Sequence, residues 1–176
     1  ASLRFIVTSI SLGLSIGGSI IISKYRGAND TIKYKQSITT LLFLSSLFSI
    51  IISVLGIIFS KHILIFMNVP EESFKYAYEY IRIIFSGVFF IFLYSSISSV
   101  IKSSGKEKVS LCFIIIVSIT NIILDFLFVY VLKLSVKGAA FATVISQFLS
   151  FLLLLYFIRK DIVFSIDIKI IKELIY

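Results

Sequence analysis

The sequence of 176 residues holds one cysteine, one histidine and one proline, and nine acidic residues against seventeen basic ones. A lone Cys112 excludes an internal disulfide, and nothing around it has metal-ligand spacing. It reads as a small apolar residue on a helix. Catalysis inside a membrane needs paired groups such as two acids or a histidine cluster, and a single Asp within the apolar blocks plus His62 does not provide them. No enzyme is expected. The net charge of +8 would suit nucleic acid, but the cations do not form one patch with aromatic neighbours. No signal-peptide pattern precedes the first apolar block, and the chain opens at Ala1 rather than Met. The expectation is a piece of a longer polypeptide.

What the chain has in excess is apolar surface: 59% of residues are hydrophobic and the mean hydropathy is +1.08. A soluble domain would be nearer about 45–50% apolar. The excess falls in five blocks, about 3–23, 37–60, 81–101, 110–132 and 138–158. Each is long enough to cross a bilayer core of about 30 Å as a helix. The expected fold class is an all-α integral membrane protein, a polytopic bundle of five transmembrane helices within residues 1–160. Residues 161–176, DIVFSIDIKIIKELIY, are too short and too charged to span and suit an amphipathic interfacial segment.

Local signals punctuate these blocks. Gly13 and Gly17 form a small-xxx-small pair, extended by Gly18 and Ser19, which would let a second helix approach closely. Gly138, Ala142 and Ser146 recur every four residues as a second such stripe. The serines of the second block can bond back to the carbonyl one turn earlier. Pro70 followed by Glu71 and Glu72 reads as a helix start, with acids at the positive end of the dipole. PEESFKYAYEYIRI (residues 70–83) is then an amphipathic lead-in to the third span. Gly105 in SSGKEKVS (residues 103–110) reads as a helix terminator. His62 falls just past a membrane end, as a solvated interfacial residue.

Orientation follows from lysine and arginine. Loops after the first, third and fifth spans, with the tail, carry eleven: Lys24, Arg26, Lys33, Lys35, Lys102, Lys106, Lys108, Arg159, Lys160, Lys169 and Lys172. The opposite side carries six: Arg4, Lys61, Lys75, Arg82, Lys133 and Lys137. The excess puts loops 24–36, 102–109 and 159–176 in the cytoplasm of a multi-pass protein of the cell membrane. The chain would then begin outside, with an odd number of spans, most simply one, before it.

The fourth block, SLCFIIIVSITNIILDFLFVYVL, is apolar apart from Asn121 and Asp125, which stand four apart on one helical face. A carboxylate at the bilayer centre costs about 2.5–3.5 kcal/mol on insertion scales. Such groups face a bundle interior or cavity and hold an ion, a proton or a partner. The two residues read as half of an ion-coupling site. The alternative is a structural Asp125 hydrogen-bonded to Asn121 and a neighbouring helix. Thr143 and Gln147 make a second polar pair in the fifth block. Threonine commonly bonds its own helix backbone, and Gln147 is a candidate for packing or cavity lining.

Several stretches resemble the MATE (multidrug and toxic compound extrusion) transporters. YRGANDTIKYKQ (residues 25–36) is similar to the loop after their second helix, and NVPEESFKYAYEYIRI (residues 68–83) to the approach to their fourth. SSGKEKVS resembles the turn before their fifth helix. NIILDFLFVY (residues 121–130) and KGAAFATVISQ (residues 137–147) resemble the fifth and sixth in order and spacing. The resemblance implies helices two to six of the N-terminal lobe of a twelve-helix, two-lobe protein. The missing first helix and the C-terminal lobe would be its partners.

It also implies export of cationic or amphiphilic compounds in exchange for sodium ions or protons, with no other cofactor. The family's cation site implies roles for Asn121, Asp125 and Thr143. All three offer oxygen, which hard cations prefer, and burial of a carboxyl group disfavours its charged form, which suits a proton carrier. A related class flips lipid-linked oligosaccharides and is the alternative. It favours a strongly cationic cavity, and no Lys or Arg stands inside the apolar blocks, Arg4 and Arg82 lying at block ends. No re-entrant filter of a channel is evident.

Overall fold

The structure, a computed structural model, describes residues 2–159, with side chains from residue 4 onward. Five helices follow one another: α1 (Ser2–Gly27), α2 (Thr31–Phe66), α3 (Glu71–Ser103), α4 (Glu107–Asp125) and α5 (Ser135–Ile158). A π-helical segment, Phe126–Val131, continues α4. Every helix is long and apolar enough to cross a membrane. The expected class, an all-α bundle of five membrane-crossing helices, is what the chain forms. The proposed interfacial segment 161–176 lies outside the described residues.

Helix ends are set by local chemistry, and the helices run past the apolar windows. Asp30 caps α2 by accepting the Lys33 N–H at 3.0 Å. Gly105, at φ +70°, ends α3 in the left-handed conformation expected of it. Its N–H bonds to the Lys102 carbonyl and the Lys106 N–H to the Ile101 carbonyl, the double bond of a Schellman motif. Asn29 and Asn68 end α1 and α2 in the same way, at φ 56° and 50°. Pro70 occupies the N-cap, with Glu71 and Glu72 in the first turn. The 70–83 stretch leads into the third span without a break, as one helix of 33 residues with Pro70 at its N-cap.

α3 is the central helix. Most of its membrane window is buried against α1, α2 and α5, whereas α4 is peripheral and packs chiefly on α5. One core cluster joins Ile22, Ile38, Leu41, Ile97, Ile101 and Ile158 at one end of the bundle. A second gathers Val7, Leu64, Ile81, Phe85 and Phe92 at the other. The α1–α2 loop, the α3–α4 turn and the C-terminus of α5 therefore lie at the same end. The Tyr34 hydroxyl bonds Ser104 Oγ at 2.6 Å, and Lys106 lies 5.2 Å over the Phe157 ring, also at this end.

Small polar residues connect the helices. Ser96 on α3 meets Ser45 of α2 at 2.6 Å and Ser15 of α1 at 3.3 Å. Ser53 of α2 donates to the Phe85 carbonyl of α3 at 2.7 Å. Other serines bond back along their own helix as expected, among them Ser37 to the Lys33 carbonyl and Ser46 to that of Leu42. The first glycine stripe packs differently from expectation. Gly13 and Gly17 have open space where a Cβ would stand, and Gly18 alone meets Leu41. The packed face of α1 is Val7, Ser11, Ser15, Gly18 and Ile22, so helix rotation turns the Gly13–Gly17 pair outward within this chain. His62 lies exposed in the last turns of α2, edge-on to Phe59.

Candidate cation site between α4 and α5

Four residues bring α4 and α5 into antiparallel register. Asn121 Nδ2 of α4 donates to Ser146 Oγ of α5 at 3.4 Å. Seven residues on, a Cβ added to Gly138 would stand 2.9 Å from the Phe128 carbonyl carbon. The expected stripe of small residues on α5 is buried: Gly138, Ala142 and Ser146, continued by Ser150 and Leu154. It gives α4 and its π-helical extension a slim surface to lie on. Counted from these two points, Asp125 stands level with Ala142.

The polar atoms in this seam are unevenly satisfied. Ser146 Oγ accepts from Asn121 and donates to the Thr143 carbonyl at 2.9 Å. Thr143 is buried and its hydroxyl donates to the Ala139 carbonyl at 3.0 Å, the backbone bond that threonine favours, with lone pairs left over. Asp125 Oδ1 and Gln147 Oε1 are closed off from the exterior and have no hydrogen-bond partner among the described residues. Because the Asn121 amide nitrogen points at Ser146, its oxygen is turned away from that contact. Along α4 and α5 stand a carboxylate, two amide oxygens and a hydroxyl, oxygen donors of the kind that suit a hard cation or a proton rather than a soft metal; the side-chain contact between the two helices is that of Asn121 with Ser146. Among the described residues no three His, Cys, Asp or Glu cluster for a transition metal.

Asp125 is the last α-helical residue before the chain widens into the π-helical segment. There the Leu132 N–H reaches the Leu127 carbonyl at 2.9 Å and the Leu134 N–H reaches Phe128 at 2.9 Å. Such wide turns recur at functional sites. Nothing in the apolar run FLFVYV announces one. Ser146 had a visible place in the packing stripe, but its bond to Asn121 depends on the interhelical register.

A family model described as MatE matches residues 1–127. The chain belongs to this family, the MATE transporters. It is 33% identical over 164 residues to the probable multidrug resistance protein YoeA of Bacillus subtilis, covering 90% of this chain and 35% of that one. It is 30% identical over 155 residues to the multidrug export protein MepA of Staphylococcus haemolyticus, covering 88% and 34%. A crystal structure of MATE in the bent conformation superposes at a TM-score of 0.91, with 26% identity over 98% of this chain and 41% of that one. An outward-facing multidrug resistance MATE transporter of the MOP superfamily superposes at 0.90, also at 26% identity, covering 98% and 41%. The chain thus spans between a third and about two fifths of the length of these relatives, part of a MATE lobe. MATE proteins are membrane transporters, and the polar seam between α4 and α5 belongs to a transport fold.

Proposed function

We propose that this chain supplies the cation-coupling half of an exporter that moves cationic or amphiphilic compounds across the cell membrane. Asn121, Asp125 and Thr143 form the coupling site, and Gln147 lines the adjoining seam. The observation that carries the reading is Asp125 Oδ1, closed off from the exterior on an apolar helix with no hydrogen-bond partner among the described residues. A buried acceptor left so costs about 1–3 kcal/mol, and more when charged. A sodium ion or a proton at that atom removes the cost. Two relatives carry names of multidrug resistance or export, which supports the substrate class.

Asp125 neutralises the incoming charge while Asn121 and Thr143 contribute neutral oxygens. Coupling requires that the ion bind one arrangement of the α4–α5 seam better than the other, because only differential affinity shifts a conformational equilibrium. The membrane potential adds about 2.3 kcal/mol per charge for each 100 mV crossed. Helices two to six of the N-terminal lobe would rock against a second lobe, with loops 24–36 and 102–109 in the cytoplasm, the side the positive charges favour.

The test compares ethidium efflux by wild type and Asp125→Asn, expressed from the full gene in cells stripped of other exporters, with and without a sodium gradient. A well-expressed but inactive variant, beside a wild type driven by sodium or by protons, supports the site. Normal pumping by Asp125→Asn refutes it. The oligosaccharide flippase remains second, because apart from Arg4 and Arg82 at their ends the apolar blocks lack the Lys or Arg that a strongly cationic cavity needs. Failure of wild type to move any cationic dye under either gradient would bring it forward.

A further inference from the structure

At the bundle end shared by the α1–α2 loop and the α3–α4 turn lies a cavity of about 270 Å³, separate from the α4–α5 seam. We infer that it binds the phosphate of an anionic membrane lipid. Two cations line it, Arg26 from the last turn of α1 and Lys106 from the α3–α4 turn. The guanidinium reaches across to that turn: Arg26 Nη2 lies 3.9 Å from the position of a Cβ on Gly105. Neither cation forms an ion pair among the described residues.

The acid in the lining is already committed. Asp30 Oδ1 accepts the Lys33 N–H at 3.0 Å as the α2 cap, and its Oδ2 pairs with Lys33 Nζ at 3.6 Å. Two like charges held on one small cavity repel unless an anion lies between them. In the rest of the lining Asn29 and Thr31 add hydrogen-bond donors. Arginine with neighbouring donors is the arrangement that recognises phosphate.

The position selects a lipid over a soluble anion. The cavity sits where α1 and α2 leave their apolar stretches, beside tyrosines of the kind that mark the headgroup level. Exposed Ile32 adjoins Thr31 at the same helix end, giving an acyl chain an apolar surface. The volume is several times the roughly 30 Å³ of one water, so it admits a phosphodiester with part of its headgroup. The walls are tied across helices by the Tyr34–Ser104 bond and by Lys106 over Phe157. Basic pockets between membrane helices bind phosphate headgroups in this manner. The charge balance assigns this end to the cytoplasmic leaflet, where anionic lipids gather. The inference does not depend on how coupling works.

The experiment uses the protein purified at its full gene-encoded length in neutral detergent. Phosphatidylglycerol, phosphatidylcholine and inorganic phosphate are titrated separately, and thermal unfolding and native mass spectra are recorded. Phosphatidylglycerol is expected to raise the unfolding temperature and to remain as an adduct, while the other two do neither. Arg26→Gln with Lys106→Gln should weaken that effect about tenfold or more. Lys102→Gln with Lys108→Gln, the same charge change on exposed residues at the same end, should leave it intact. Lys106→Gln alone, a change on an exposed turn, carries the comparison if the double variant unfolds. Unchanged phosphatidylglycerol affinity in the pocket variants overturns the inference. So does equal loss in the Lys102 and Lys108 variant, which would mean diffuse attraction. Equal stabilisation by inorganic phosphate would assign the pocket to a soluble anion instead.

Discussion

Replacing Asp125 by leucine should make the protein more stable while abolishing its proposed activity. A charged Asp at the centre of a membrane helix costs about 2.5–3.5 kcal/mol, and leucine there contributes about 0.3–0.6 kcal/mol in the favourable direction. Asp125 stands toward the second end of the 25-residue span Glu107–Val131 and is half-buried rather than enclosed. Both facts reduce the gain, to about 1–2 kcal/mol. No hydrogen bond opposes it at Oδ1, which has no partner among the described residues. At about 2–4 °C per kcal/mol for a chain of this size, the unfolding temperature should rise by a few degrees. Helical circular dichroism of the purified protein during heating measures it, without a sodium gradient or transported drug. Asp125→Asn, which keeps the shape and removes the charge, should rise less or stay level. A fall in both variants would refute the reasoning, because it would mean that the carboxylate holds α4 and α5 together.

Gly138→Val should destabilise by about 1–3 kcal/mol in thermal unfolding, since its Cβ meets backbone of Phe128 that cannot swing aside. Ser96→Ala should cost about 1 kcal/mol by the same measurement, as it breaks the hydroxyl contacts to Ser15 and Ser45 at typical membrane values of about 0.6 kcal/mol each. Ser146→Ala releases the Asn121 amide and should weaken the response to the coupling ion in vesicle efflux, while stability changes by less than about 1 kcal/mol. Lys137→Gln removes a half-exposed pair with Glu79, and its effect on unfolding should stay within about 0.5 kcal/mol and vanish in high salt.

The five helices were legible because hydropathy alone marks a membrane span, and Gly105 was legible because a left-handed helix end favours glycine. Helix ends elsewhere were less so. α2 runs for 36 residues because Asp30 caps it and Asn68 closes it, and neither is an apolar signal. The glycine stripe of α1 shows the limit of periodicity. Gly13 and Gly17 keep the spacing of a packing face, yet Ser11, Ser15, Gly18 and Ile22 keep the same helical rhythm, and neighbouring helices decide which face turns inward. Asn121 and Asp125 could be placed on one face from their spacing. The Ser146 partner and the π-helical widening after Asp125 depend on interhelical register and backbone bonding, which one chain segment does not encode by itself.

The packing of α5 decides whether the Asp125 face is a site at all. α4 is peripheral, with Val117 and Ser110 its only buried residues in the regular helix, so most of its surface is exposed apolar side chain. A carboxylate on such a helix would meet lipid unless a neighbour came close on that side. Gly138, Ala142 and Ser146 present almost no side chain, and α4 with its π-helical extension settles against them. That contact brings Asn121 to Ser146, and Asp125 Oδ1, one turn further along α4, is shut off from the exterior. Widening the stripe should therefore disturb the seam without touching any polar atom. Ala142→Leu, level with Asp125, should push the helices apart and wet the carboxylate. The expected outcome is lost ion dependence of efflux with the protein still inserted and folded. Unchanged ion dependence in that variant would show that Asp125 does not need the α5 wall.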